Sequence, residues 1–452
     1  MSEYTAVDTY LKKLKKGDQE TKVEATIHHS DIADYLERTK RVDEDEFFVL
    51  FDTLPQRKRA KTFLELPTPF QVDLINHYDA KTLASLVKIA KSNDATDIFL
   101  SIIKTDQEKS EDVLALLSDT KKEEVLKLTH YDESEAGSLM QTELFKVKIN
   151  DTVAYAIQKL AQLKKQGIGK FQCLFVTDAD NKLLKNISMD DLILENTQST
   201  FSEIMEKFPE PHVVSVHEST QNVLNMIEKY DLGVLAVVDK KGRLIGRITH
   251  DDALESMQES ATQQLYNLSK IDADEELHEE FTKTGQTRAI WLSINLVNAI
   301  IASLVIGLFE ETLKAVVALA VLMPIVANMA GTASVQTMTV MVRQMGLGEI
   351  TFQDTRPILI KEINMAVLNG ILFGFLSAGI AQLWFGNYQI SLAIGLSMWV
   401  SFVSAGLLGA SVPMLLKKVH LDPAVASSVI VITLIDIIGF FSFLWFSELI
   451  IF

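Results

Sequence analysis

Along this chain of 452 residues the hydrophobic positions change their period twice. Over 25–130 they recur every three or four residues in short stretches, among them "DIADYLERT", "EDEFFVLFDTL", "RKRAKTFLEL" and "EDVLALLSD". That spacing puts one apolar stripe on each of a series of short amphipathic helices. Thr120 with Glu123 has the spacing of a capping box that would open one of them. From 132 to 260 the pattern becomes short apolar runs separated by turns, and one stretch occurs twice. "VTDADNKLLKNISMDDLI" (176–193) aligns with "VVDKKGRLIGRITHDDAL" (237–254) at an offset of 61. Each copy reads as a strand, a turn, a short strand ending in Ser or Thr, and a helix opened by two acids, which suit the positive end of a helix dipole. Beyond 286 the polar face disappears. Five segments, 289–308, 315–342, 363–384, 390–416 and 423–452, are each apolar enough and long enough to span a bilayer.

Charge follows the same division. Residues 1–285 carry 36 Lys and Arg against 52 Asp and Glu, while 286–452 carry 7 against 8, within a net charge of −17. So acidic a chain does not suit a polyanionic partner, and nucleic acid is excluded. The single cysteine, Cys173, allows no internal disulfide and fits a reducing compartment. In "FQCLFV" it reads as a buried strand thiol. The start, "MSEYTAVDTYLKKLKKGD", lacks the apolar core of a signal peptide. No Gly-rich phosphate loop, His/Cys metal cluster or nucleophile–base spacing is present, so no enzyme is expected. His28 and His29 read as part of a turn. Basic residues flank alternate ends of the spans: Arg288, then Arg343, Arg356 and Lys361, then Lys417 and Lys418, with Lys314 alone on the other side. This bias places the polar part in the cytoplasm and the C-terminus outside, in a multi-pass protein of the cell (inner) membrane.

Within the spans, small residues recur every four positions, as Gly370 and Gly374 and as Ser397, Ser401, Ala405 and Gly409, the pattern of close helix packing in lipid. The second span is more polar. Asn328, Thr332, Gln336 and Thr339 fall on one helical face, and Pro324 and Gly331 are expected to break or loosen the helix there, which is tolerated beside a wet cavity or inside protein. The face reads either as a pore lining or as interhelical hydrogen bonding. The fifth span offers a matching track of Ser428, Thr433, Asp436 and Gly439. Asp436 lies thirteen residues past Pro423, about 20 Å along a helix, so it falls near mid-membrane. An acid there costs roughly 2.5–3.5 kcal/mol on insertion scales. No Lys or Arg lies in the interior of any span, so the expected counterpart is a proton, a cation or water. A protonated structural Asp is the alternative. Residues 251–280 hold ten acids and one lysine, Lys270. They read as a solvated helix or as one whose charge is offset by bound divalent cations.

The repeated unit resembles a tandem pair of CBS (cystathionine-β-synthase-type) domains. The whole order resembles the MgtE family of magnesium channels. "SDIADYLE" looks like the opening of that family's N-terminal domain, "YDESEAGSLM" like its entry to the first CBS domain, and "KEINMAVLNG" like the start of its third span. "LDPAVASSVIVITLIDIIGF" is similar to its fifth span, with Asp436 on the pore carboxylate and Asp422 on the acid that begins the segment. The resemblance implies a multi-domain fold: an all-α N-terminal domain (1–131), an α/β tandem CBS pair (132–260), an acidic connecting helix (261–285) and a five-helix pore domain (286–452). It also implies a homodimer in the lipid bilayer that passes Mg²⁺ between the second and fifth spans. Asn328, Thr332, Gln336, Ser428, Thr433 and Asp436 would line the pore. Asp422, Asp251, Asp252, Glu255 and Glu259 would join Asp436 as metal ligands, so that cytosolic Mg²⁺ gates the pore. An adenine nucleotide at the CBS pair is a further implied ligand. Departures from the family pattern are Ala330-Gly331-Thr332 in place of a Gly-Gly-Asn run, Ser428-Val429 near the pore mouth, and "QESATQQ" (258–264) in place of a dense acid run. They lead to an expectation of weaker ion discrimination and a shallower Mg²⁺ response. The alternatives are a channel that passes Co²⁺, Mn²⁺ or Ni²⁺ with looser selectivity, and a non-conducting membrane sensor.

Overall fold

The computed structural model describes residues 2–15, 27–165, 171–268, 281–346, 355–419 and 423–452. The chain divides into two compact units, essentially 1–257 and 258–452. The first begins with helices Ser2–Lys15, His29–Val42, Glu44–Thr53, Gln56–Glu65, Thr68–His77, Ala80–Ile89, Ser92–Thr105, Gln107–Leu116 and Asp119–Leu128. Their N-cap positions Asp43, Pro55, Pro67, Asp79 and Lys91 recur at even steps of twelve residues. Asp43, Asp79 and Asp106 each accept from a backbone N–H three residues on, which satisfies a donor that has no partner within its helix. Each stripe then buries Leu, Ile and Phe side chains such as Leu36, Phe51, Phe63, Leu83 and Phe99 in one core. The last helix differs from its expected capping. Ser118, not Thr120, is the N-cap, accepting from the Lys121 N–H at 3.4 Å. Thr120 lies two residues too late, already inside the helix, its hydroxyl beside that of Ser118. His28 is also an N-cap rather than a turn residue, paired reciprocally with Asp31.

The repeat folds as two three-stranded sheets. In the first, β1 (Lys146–Lys148) runs parallel to β2 (Cys173–Thr177), which pairs antiparallel with β3 (Leu183–Ser188). In the second, β4 (Val213–Ser215), β5 (Val234–Val238) and β6 (Leu244–Thr249) repeat that order. The offset of 61 is kept in three dimensions: Cys173↔Ser188 answers Val234↔Thr249, and both pairs of strands shift register at the matching position. The turns match as well. Asp178 accepts from the N–H groups of Asp180 and Lys182, and Asp239 from those of Lys241 and Arg243. The position between the two donors has positive φ in both copies, taken by Asn181 (64°) and Gly242 (74°), the two residue types that enter the left-handed region most readily. Cys173 lies buried in β2, where burial pushes its thiol pKa up to about 12, so it is an inert core thiol.

Among the described residues the second unit holds five helices long and apolar enough to cross a membrane: Thr284–Gly307, Val317–Met345, Arg356–Phe385, Tyr388–Lys418 and Ser427–Ile451. The fourth packs against the second, third and fifth, and its small residues are the reason. Ser397, Ser401 and Ala405 are fully buried. A Cβ on Gly374 of the third span would come within 2.8 Å of the Gly395 carbonyl of the fourth, so only glycine allows that approach. The first span packs mainly on the fifth and buries little of its apolar surface. The expected break in the second span does not occur. Val317–Gly346 is one continuous helix with Pro324 inside it. Proline removes one backbone donor and crowds the preceding turn, but in a packed helix pair that loss does not end the helix.

Candidate functional site

The polar face of the second span opens onto a groove of about 780 Å³ within the second unit. Asn328, Thr332, Gln336 and Thr339 line it together with Gly331, Val335 and Val340, and the fifth span contributes Ile432 and Asp436. The geometry follows from helical spacing: residues three and four apart stack on one side. Thr332 donates its hydroxyl to the Asn328 backbone carbonyl at 2.8 Å, which leaves the hydroxyl oxygen's lone pairs available to the groove. The result is one carboxylate among two amides and two hydroxyls on an apolar floor. Such a set offers oxygen acceptors to the waters around a small hard cation, without the rigid all-protein cage that would strip them.

The other residues of the expected pore lie elsewhere. Ser428 is 2 % exposed and its hydroxyl has no hydrogen-bond partner among the described residues. Thr433 bonds back to the Val429 carbonyl at 2.7 Å. Neither lines the groove. Asp422 lies outside the described residues.

The acids at the end of the soluble repeat are also divided. The helix His250–Leu268 carries Asp251, Glu255 and Glu259 as exposed side chains, whereas Asp252 is half-buried. The Asp252 carboxylate accepts from Asn93 Nδ2 at 3.1 Å, from Gln141 Nε2 at 2.9 Å, and from both the backbone N–H (2.9 Å) and the hydroxyl of Thr249. A carboxylate has about four lone-pair sites, and these four donors occupy them. Around this point Glu143 receives both the backbone N–H and the hydroxyl of Ser92 at 2.8 Å, capping a helix whose own N-cap, Lys91, supplies no side-chain bond. Asp94, in the same turn, is held above its usual carboxyl pKa by burial, which Lys91 and Lys61 oppose and Asp252 and Glu143 reinforce. Among the described residues no three His, Cys, Asp or Glu side chains converge as a metal site. Among the described residues Asp251, Asp252, Glu255 and Glu259 are therefore not gathered into one cluster, and the Asp252 carboxylate is taken up by protein donors. Sequence reasoning missed its donors because Asn93 and Gln141 are 159 and 111 residues away.

Comparison with known families follows the same divisions. The family model for the MgtE divalent cation transporter matches residues 323–446, which contain the whole groove. The model of the MgtE intracellular N domain matches 27–134, and the CBS domain model matches 136–196 and 201–259. The chain belongs to the MgtE family. Among its relatives, a magnesium transporter MgtE of Thermus thermophilus is 28 % identical over 442 residues, covering 96 % of each chain. One of Bacillus subtilis is 24 % identical, covering 86 % of this chain and 88 % of that one. The solved structure of the soluble part of a magnesium transporter superposes with a TM-score of 0.50 at 22 % identity, covering 57 % of this chain and 98 % of that one. That likeness establishes the fold of the helical and CBS portions.

Proposed function

We propose that the protein is a homodimeric channel that conducts Mg²⁺ through the groove, with its helical and CBS domains in the cytoplasm regulating flow. The observation that carries this reading is the placement of Asp436 with Asn328, Thr332 and Gln336 on one open face between two membrane helices. A groove open along one side is half of a pathway. A second copy related by a two-fold axis would close it and double the carboxylate to match a divalent charge. Mg²⁺ gives up water reluctantly, and side-chain oxygens around a wide groove suit a hydrated ion. The basic residues at alternate span ends support a cytoplasmic N-terminus and an outer C-terminus. The names of the relatives support Mg²⁺ as the cargo.

The test is uptake by purified protein in liposomes. Wild-type protein admits Mg²⁺, and Asp436→Ala folds but admits none. Undiminished uptake by the variant would sink the assignment of the groove. The second reading, looser passage of Mn²⁺, Co²⁺ and Ni²⁺, is favoured by Thr332 standing in the groove where the family pattern has an amide. Regulation is tested by adding Mg²⁺ on the side that bears the soluble domains. Inhibition is expected, and it is shallow because Asp252 is already saturated by protein donors.

A further inference from the structure

The groove face of the second span has a support on the opposite side of the same helix. At about 100° per residue, Ser334 and Thr337 lie opposite the Asn328–Thr332–Gln336–Thr339 row. Thr337 donates its hydroxyl to Glu362 Oε2 at 3.3 Å, across to the helix Thr355–Phe385. Glu362 is half-buried and stands just before the apolar run of the third span. The fourth span is wedged into the same point. A Cβ on Gly409 would meet the Ser334 carbonyl at 2.9 Å and Thr337 Cβ at 3.1 Å, and one on Gly406 would meet Ala366 Cβ at 2.5 Å and the Glu362 carbonyl at 3.2 Å. Three helices are thus in backbone-level contact around a single carboxylate–hydroxyl bond. Neither the groove lining nor the expected pore includes this acid.

We infer that Glu362 is a positioning residue for conduction: by holding Thr337 it fixes the rotation of the second span and so the aim of Gln336 and Thr339 into the groove. The inference rests on the reading of the groove as an ion path. The geometry gives it a specific form. Glu362 does not itself line the groove, so its charge is dispensable and its acceptor oxygen is not. Glutamine keeps that oxygen at the same reach, alanine removes it, and Thr337→Val removes the donor while keeping the shape.

The experiment compares Thr337→Val, Glu362→Ala, their double variant and Glu362→Gln in liposomes. Each is also made in a Cys173→Ser background carrying Gln336→Cys, whose reaction rate with a membrane-impermeant thiol reagent reports how residue 336 faces the groove. The expected result is a fall in Mg²⁺ uptake of about tenfold for Thr337→Val and for Glu362→Ala, the size of a lost hydrogen bond to a charged group. The double variant falls no further, as for two partners in one interaction. Glu362→Gln stays within about twofold of wild type. The Mn²⁺-to-Mg²⁺ uptake ratio and the labelling rate at 336 shift in the Val and Ala variants and not in the Gln variant. The inference is overturned if Glu362→Gln falls as far as Glu362→Ala while Thr337→Val is silent, since the charge would then act on the ion directly. It is equally overturned if the two losses add, or if the labelling rate at 336 is the same in every variant. Should Glu362→Ala fail to fold, the near-isosteric Val and Gln variants still decide between these outcomes. Wild-type protein that admits no Mg²⁺ counts against the conduction reading, while the labelling rates still decide the positioning one.

Discussion

The junction around Asp252 and the groove around Asp436 both set a carboxylate beside side-chain amides, yet the surroundings direct the two acids differently. At the junction the donors come from three separate segments, through Asn93, Gln141 and Thr249, and converge until the acid's acceptor sites are taken. Gln141 is 2 % exposed, so its bond to Asp252 is sheltered from water. At the groove the neighbours come from one helix face and leave an open side. A carboxylate whose lone pairs are occupied by protein donors holds parts of the chain together. One that lines an open groove keeps a side that water or a ligand can approach, the basis of the conduction proposed for Asp436. Residue type does not distinguish these roles, since both are aspartates near amides. What distinguishes them is whether the donors around the acid close over it.

This contrast can be broken most sharply at Asp436. Replacing it with alanine is expected to reduce Mg²⁺ uptake to the level of empty liposomes while thermal unfolding stays close to wild type. A large loss of stability instead would place Asp436 with Asp252 as a structural acceptor. The reciprocal change, Asp252→Ala, is expected to destabilise a fragment comprising residues 1–257 by about 3 kcal/mol, because the buried Gln141 amide loses its acceptor. The matched position in the first repeat provides the control. Asp191 bonds Ser188 at 2.8 Å and is exposed, so Asp191→Ala should cost within about 0.5 kcal/mol. Equal costs in urea unfolding would remove the distinction between the repeats.

Selectivity sharpens the groove side of the comparison. With Thr332 rather than an amide in the row, Mn²⁺ and Co²⁺ are expected to compete with Mg²⁺ uptake at concentrations within about tenfold of Mg²⁺ itself, the scale of a modest pocket difference. Tight rejection of both ions would show that the hydroxyl replaces the amide without loss. The smallest expected effect is at Asp94. Burial raises its folded carboxyl pKa above 3.8, so its ionised form costs stability at neutral pH. That cost fades as pH falls through the raised value and is gone below the unfolded one. Asp94→Asn should therefore raise the melting temperature of the same fragment slightly at about pH 7, with the gain vanishing toward about pH 4. A gain that persists at low pH would mean that the acid's charge is not the cause.

Much of this protein follows from local pattern. Twenty or more apolar residues in a row leave few alternatives to a membrane-competent helix, and all five such segments appear in the structure. The offset of 61 carries its own turns, because Asp178 and Asp239 bond within four residues and Asn181 and Gly242 supply the positive φ. The row Asn328–Thr332–Gln336–Thr339 is set by helical spacing alone. Tertiary structure decided what these pieces face. Nothing near Asp252 in the sequence points to Asn93 or Gln141, and nothing near Ser428 shows that packing would bury it while Asp436 met the second span's polar face. Pro324 reads locally as a break, yet the packed helix runs through it. Short-range hydrogen bonds and periodicity are written into neighbouring residues. Whether an acid ends up saturated or open depends on segments more than a hundred residues away, and those are brought together only by burial of the apolar faces between them.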